Sequence, residues 1–223
     1  MKPHRLPFAA ALAVTATLLL TACGNGDSGS STPAQAAETP RKSATRAVDP
    51  SEPSKPSQDK PDGVDITLPE DINLVFDWTK PKDKNEAAAM DGAANFIRSI
   101  FRGVDKGTTG DAAVTTYATS GGLKYATTQI NAYIDGGWTV TGTRRHYDAT
   151  TRSTSNGESV EVAFCSDSTK FYGKETKTGK VLKTEPSIKD FSHFDVIMVK
   201  YPTGRDLWQA AKVHVETESA RCR

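Results

Sequence analysis

The sequence has no apolar run long enough to cross a bilayer as a helix. Its most apolar stretch, Phe8 to Leu20, is broken only by Thr15 and Thr17 and falls short of the roughly 20 residues that a spanning helix needs. Cysteine is scarce, with three in 223 residues, and no two have CxxC spacing. The four histidines, His4, His146, His193 and His214, form neither HxxxH nor HxH. These absences remove the usual signatures of a zinc site, and neither a metal nor a cofactor is expected. Neither Gly121-Gly122 nor Gly136-Gly137 has the GxGxxG or GxxxxGK spacing of a phosphate loop, and Asp167-Ser168 lacks the Gly-x-Ser-x-Gly nucleophile elbow. Charge of one sign is not in excess either, with 28 basic residues against 27 acidic ones. That balance gives no reason to expect nucleic acid or an anionic membrane surface as a partner.

What is present begins with an address. Lys2 and Arg5 precede the apolar run, which ends in Leu20-Thr21-Ala22-Cys23-Gly24. A basic start, a short apolar region and small residues at its end are the parts of a secretory signal peptide. Leu-Thr-Ala-Cys-Gly resembles a bacterial lipobox. The resemblance implies cleavage before Cys23 and a diacylglyceryl group on its thiol. Residues 1–22 are then a signal peptide, Cys23 is the lipidation site, and the chain is held by lipid at the extracytoplasmic face of the cell membrane. The alternative is a chance cysteine beside an ordinary cleavage site. Loss of residues 1–22 leaves 26 basic residues against 27 acidic.

From Cys23 to Gly63 the chain is rich in Ser, Pro, Ala, Thr, Lys, Asp and Glu, with no aromatic residue, Leu or Ile and with Val48 alone of its type. Such a segment buries too little apolar surface to offset chain entropy, so a disordered tether is expected. About 40 residues of flexible coil have an end-to-end distance of roughly 35 Å, which would carry the folded part clear of the lipid headgroups.

The folded domain is expected over residues 64–223. Val64 to Leu68 alternates and meets Pro69, which suggests a short extended segment, and Asp71 to Trp78 continues it. Asp83-Lys84-Asn85-Glu86 has the form of a helix start, and Met90, Ala93, Ala94, Ile97, Ile100 and Phe101 recur at helical spacing up to Gly103, the expected stop. A shorter helix follows Asp111. A third, capped by Ser120, carries Leu123, Ala126, Ile130, Tyr133 and Ile134 and ends at Gly136-Gly137. From Trp138 the period changes to two. Strands are expected from Trp138 through His146, over Ser159 to Cys165, over Thr169 to Tyr172, at Val181-Leu182, over Phe194 to Tyr201 and over Leu207 to Val215. Asn156-Gly157 favours a type I′ hairpin, Asp167-Ser168 reads as turn chemistry, and Thr178-Gly179-Lys180 and Thr203-Gly204-Arg205 mark further turns. The Phe194 strand is apolar on both faces and should lie inside the sheet. Helices first and an antiparallel meander after them give an α+β class, with the N-terminal helices packed on a curved antiparallel sheet.

An exported chain with Cys165 and Cys222 left after Cys23 is in a compartment that permits disulfides, so a Cys165–Cys222 bridge is expected, the alternative being two separate thiols. Closing that loop stabilises the fold by about 4 kcal/mol on the loop-entropy argument.

The order of three helices, Trp138-x-Val140-x-Gly142, a strand ending in Cys165-Ser166-Asp167-Ser168, the Thr178-Gly179-Lys180 turn and a C-terminal cysteine resembles secreted or lipidated actinobacterial proteins with a cone-shaped, NTF2-like domain. The resemblance covers about Asp83 to Cys222. It implies a cone between helices and bent sheet that is a ligand or catalytic pocket in some relatives, and a core or a dimer surface in others. No residue matches an enzyme motif of that group, so no catalytic residue is named. The pocket candidates are Tyr117, Tyr125 and His146. His146 shares strand parity with Trp138 and Val140 and could face inward with a tuned pKa, or lie at an exposed strand end beside Arg144 and Arg145. Those two arginines, with Arg152 nearby, could bind an anionic glycan or phosphate, but adjacent strand residues point to opposite faces, so at most one reaches any given surface.

The leading expectation is a membrane-anchored, non-enzymatic binding or accessory module for a protein, a cell-wall component or a small apolar ligand. The alternatives are a small pocket enzyme of isomerase, dehydratase or hydrolase type, and a structural homodimer using exposed aromatics such as Tyr201 and Trp208.

Overall fold

The structure is a computed structural model and describes residues 60–203 and 206–223. The expected signal peptide, Cys23 and the expected tether up to residue 59 lie outside the described residues, as do Gly204 and Arg205 of the last predicted turn. Residues Pro61–Gly63 form one 3-10 turn, and Ile66 of the following segment is buried against the core.

Strand β1 spans Ile72–Asp77. Helix α1 runs Lys84–Lys106, and Asp83 caps it by accepting the Glu86 N–H at 3.0 Å. It does not stop at Gly103. Gly103 is buried inside the helix, where a Cβ would come within 2.6 Å of Ile130 Cδ1, so this glycine permits close approach of the third helix. The stop is Gly107, left-handed at φ 62, whose N–H turns back to the Gly103 and Val104 carbonyls. Helix α2, Ala112–Tyr117, starts at Asp111 as expected. Helix α3, Ser120–Gly136, has Thr119 at its N-cap position without a side-chain cap bond, and Ser120 is its first residue, in place of the expected Ser120 cap.

Strands β2 (Trp138–Ser153), β3 (Ser159–Glu175), β4 (Val181–Leu182), β5 (Phe191–Lys200) and β6 (Trp208–Thr217) follow. The sheet order is β1-β2-β3-β5-β6, with β4 on β3. From β2 onward all pairs are antiparallel, whereas β1 joins the edge parallel to β2, with Phe76 opposite His146. The expected meander thus gains a strand contributed from before the helices. A parallel neighbour needs a long crossover, and α1 to α3 supply it.

Two turn expectations are corrected. At the β2–β3 connection only Gly157 has positive φ, so the loop is not type I′, which needs two such residues. Asp167-Ser168 does not turn the chain. The Asp167 carboxylate accepts the Thr169 N–H at 2.8 Å and Ser168 Oγ donates to the Asp190 carbonyl at 3.0 Å, within one continuous β3. The polar pair marks a bulge: between Thr143 and Arg145, β3 advances one residue more than β2.

The helices pack on one face of the curved sheet, which makes the class α+β with a curved antiparallel sheet, as expected. Ala89, Ala93, Phe96, Ile97, Ile100 and Val104 of α1 meet Val160, Val162 and Phe164 of β3 and Phe194, Val196 and Met198 of β5. Each of the larger aliphatic and aromatic side chains among them contributes about 1.5–3 kcal/mol by leaving water. Strand β5 lies inside the sheet, between β3 and β6, and Ile197 and Val199 on its other face are half-buried. Trp208, expected as an exposed aromatic, is 1% exposed in the core, and Tyr201 is half-buried. The expected support for a dimer through those two residues is thereby removed at Trp208.

The C-terminus is fastened to β3 and β2. The Cys165–Cys222 disulfide forms, with Cα atoms 5.4 Å apart, and the Tyr147 hydroxyl donates to the Cys222 carbonyl.

Candidate functional site

The three pocket candidates lie in three different surroundings. His146 is not at an exposed strand end: it is fully buried on the helix-facing side of β2. Its ring stacks on Phe76 at 4.6 Å and meets Phe164 edge-on at 5.7 Å. Nδ1 donates to the Val75 carbonyl at 3.3 Å, which leaves Nε2 as the bare nitrogen, buried and without a partner. Burial, with smaller contributions from Arg144 and Arg98, holds its pKa down at about 3. The imidazole is neutral at physiological pH and lines none of the cavities described below.

Tyr117 is fully buried at the end of α2, and its hydroxyl donates to Asp62 Oδ2 at 3.0 Å. Burial and the Asp62 charge push its pKa up, so the phenol acts as a latch on the N-terminal turn. It borders a cavity of about 230 Å³ that also touches Asn95, Asp206 and Trp208.

Tyr125 occupies the third place, the mouth between α3 and the sheet. Tyr125, Gln129 and Tyr133 are spaced i, i+4 and i+8 on α3 and so share one helix face. They line a cavity of about 40 Å³ with Ile97, Ile100 and Phe101 from α1, Phe194 from β5 and Arg144 from β2. Burial pushes the Tyr125 pKa up, while Arg144 opposes that shift.

Arg144, weighed in the sequence only as one of a pair that could bind an anion, is the charged residue of this mouth. Strand parity separates them as expected. Arg145 turns outward to Asp77, 3.2 Å away, and Arg144 turns inward. The bulge in β3 falls opposite Arg144, where such irregularities re-aim side chains. Gly142, two residues earlier at φ 101, lets the Lys170 carbonyl approach to a place where a Cβ would be 2.2 Å away. Arg144 Nε donates to Ser166 Oγ at 2.7 Å, and the guanidinium carbon lies 5.7 Å from the Phe101 ring centre and 5.8 Å from that of Phe194. Burial lowers its pKa, yet arginine remains charged. Among the described residues no carboxylate forms an ion pair with it. The alternation that places Val140 and His146 inside was the sequence signal that could have found it.

A larger groove of about 690 Å³ runs between β1, the 66–68 segment and α1. Its charged groups are already engaged: Lys80 pairs with Asp91 at 2.7 Å, and Arg98 donates to the amide oxygen of Asn95 at 2.9 Å while lying 4.4 Å over Phe76. The mouth at Arg144 is much smaller, but the two terminal nitrogens of Arg144 have no acceptor among the described residues, and that makes it the better candidate. Among the described residues, no cluster of three His, Cys, Asp or Glu side chains could hold a metal ion, and no helix is long and apolar enough to cross a membrane.

No family model matches the chain, and no curated protein does. Among solved structures the chain is similar to a ketosteroid isomerase-like protein from Erwinia carotovora atroseptica, with 14% identity and a TM-score of 0.41 over 61% of this chain and 98% of that one. It is also similar to a candidate ketosteroid isomerase from Shewanella frigidimarina, with 16% identity and a TM-score of 0.33 over 60% of this chain and 98% of that one.

Proposed function

We propose that this protein is a membrane-anchored extracytoplasmic lipoprotein whose folded domain binds a small ligand at the mouth of its cone without transforming it. The observation that carries the binding reading is Arg144. It is a charged group set among Phe101, Phe194, Tyr125, Gln129 and Tyr133, with no ion-pair partner among the described residues. Arg144 is half-buried, and a cation held there without a carboxylate beside it leaves its terminal nitrogens open to an acceptor that enters the cavity. Binding is favoured over turnover by the cavity lining, which offers hydrogen-bond donors over apolar walls but no carboxylate or imidazole to accept a proton near neutral pH. The anchoring part of the proposal rests on the Leu20-to-Gly24 stretch, and the disulfide suits the oxidising compartment that it implies.

Native mass spectrometry on the full chain, taken non-reduced from an exporting host in a neutral detergent, tests the binding reading. A bound mass that leaves on denaturation, and is missing from a folded Arg144→Gln variant, is the expected result. A ligand-free protein, or a bound mass indifferent to Arg144, would remove the cone mouth as the binding site.

A further inference from the structure

The same side chains say what kind of group enters. We propose that the cavity at Arg144 receives the terminal carboxylate of its ligand, end-on, with the rest of the ligand outside; this rests on the binding reading above.

Three features of the cavity lead there. The first is the hydrogen-bond geometry. Arg144 Nε is committed to Ser166 Oγ, which leaves the two terminal nitrogens Nη1 and Nη2 without a protein acceptor among the described residues. That pair of parallel N–H groups matches the two oxygens of a planar carboxylate, and arginine forms such forked bonds better than any other side chain. The Phe101 and Phe194 rings flank the guanidinium and restrict its movement.

The second is charge. Among the described residues of the lining Arg144 alone is ionic, the others being neutral donors or apolar. One cation balances one negative charge. A phosphate dianion would keep an excess charge in a poorly hydrated site, which is unfavourable. A neutral amide would leave the guanidinium uncompensated.

The third is size. A cavity of about 40 Å³ is small beside the roughly 300–1,000 Å³ of a site that encloses a whole ligand, and so suits a head group such as a carboxylate with the rest of the ligand outside. Tyr125, Gln129 and Tyr133 border the same space and supply further donors for the remaining carboxylate lone pairs.

The test titrates the full chain, at constant ionic strength, with butyrate, N-acetylalanine, butyramide and inorganic phosphate, read by NMR shifts of the Tyr125, Gln129 and Tyr133 resonances. The proposal expects at least one carboxylate to bind tenfold or more tightly than butyramide and phosphate. Arg144→Gln should abolish that preference, and Arg144→Lys should restore only part of it. Circular dichroism confirms that each variant is folded, and if Arg144→Gln does not fold, Arg144→Lys together with the ligand series decides. Preference for butyrate indicates a free aliphatic acid and preference for N-acetylalanine a peptide C-terminus; both support the inference. Butyramide binding as well as butyrate would overturn the carboxylate assignment and leave the cavity as a binding site. Phosphate binding as well as the carboxylates would overturn the single-charge argument. No shift with any of the four would overturn the inference, and the binding reading would then stand or fall by the bound-mass experiment.

Discussion

The imidazole of His146 lies flat on the ring of Phe76, their centres 4.6 Å apart and their planes inclined by 10°. The pair joins β1 to β2 at the register position Phe76–His146 and shuts the histidine away from water. Because the folded protein holds this pKa at about 3 against an ordinary 6.5, only the unfolded chain binds the proton between those values. Stability due to this residue is therefore complete above about pH 6.5 and falls as pH drops toward 3, by about 1.4 kcal/mol per pH unit. Asp65, Asp71 and Glu216 have lowered pKa values and also lose stabilisation in acid, so the total slope is not His146 alone. His146→Phe keeps the aromatic packing and removes the titration. Urea denaturation at pH 8 and pH 5 should show the wild type losing about 2 kcal/mol more than the variant over that span. Parallel losses in the two proteins would mean that His146 is not buried as described.

Cys222 is joined to Cys165 of β3 across a sequence separation of 57 residues. Chain entropy assigns about 4 kcal/mol to such a link. Cys222→Ser should lower the unfolding free energy by about that amount, and a reductant should cost the wild type as much while leaving the variant unaffected. Tyr147→Phe, which removes the hydrogen bond to the Cys222 carbonyl, should cost about 1 kcal/mol. Equal stability of reduced and oxidised wild type would show that the bridge does not form.

Gly122, near the start of α3, sits directly on β6. A Cβ there would be 1.9 Å from the Ala210 carbonyl oxygen and 2.5 Å from its carbon, both backbone atoms that cannot swing aside. Gly122→Ala should therefore cost about 3 kcal/mol by displacing α3 from the strand. Gly107→Ala has nothing within 4 Å to collide with and should cost only about 1–2 kcal/mol, for its left-handed backbone. Thermal or urea unfolding separates the two, and equal losses would mean that α3 does not rest on Ala210.

The regular parts of the fold could be read from the chain because single patterns settle them. Asp83 and Asp111 announce helix starts, and the alternation of Phe194, Val196 and Met198 identifies an inner strand face. Where two physical causes share one signature, the sequence was ambiguous. Gly103 and Gly107 look alike as helix stops, but tertiary packing against Ile130 decides the first and backbone conformation the second. Asp167-Ser168 has turn chemistry, and a bulge uses the same hydrogen bonds without reversing the chain. The parallel pairing of β1 depends on contacts 70 residues apart and has no local sign. Arg144 was visible as an inward position, but a lone strand arginine reads as surface until the helix face carrying Tyr125, Gln129 and Tyr133 is brought over it.

Anchoring is tested by Cys23→Ala. One acyl chain gives only marginal membrane binding, and two or more are needed for a stable hold, so a diacylglyceryl thioether at Cys23 would be sufficient without any spanning helix. Replacing the thiol removes the site of lipid attachment and leaves the apolar run from Phe8 to Leu20 intact. Two outcomes fit the proposal: the variant stays as an uncleaved precursor, or it is cleaved and released into the medium. Intact mass and fractionation of cells expressing wild type and variant distinguish them. The wild type should stay with the membrane and carry the mass of the lipid on Cys23. A variant that is cleaved after Ala22 yet remains in the membrane fraction would show that some other feature holds the protein there.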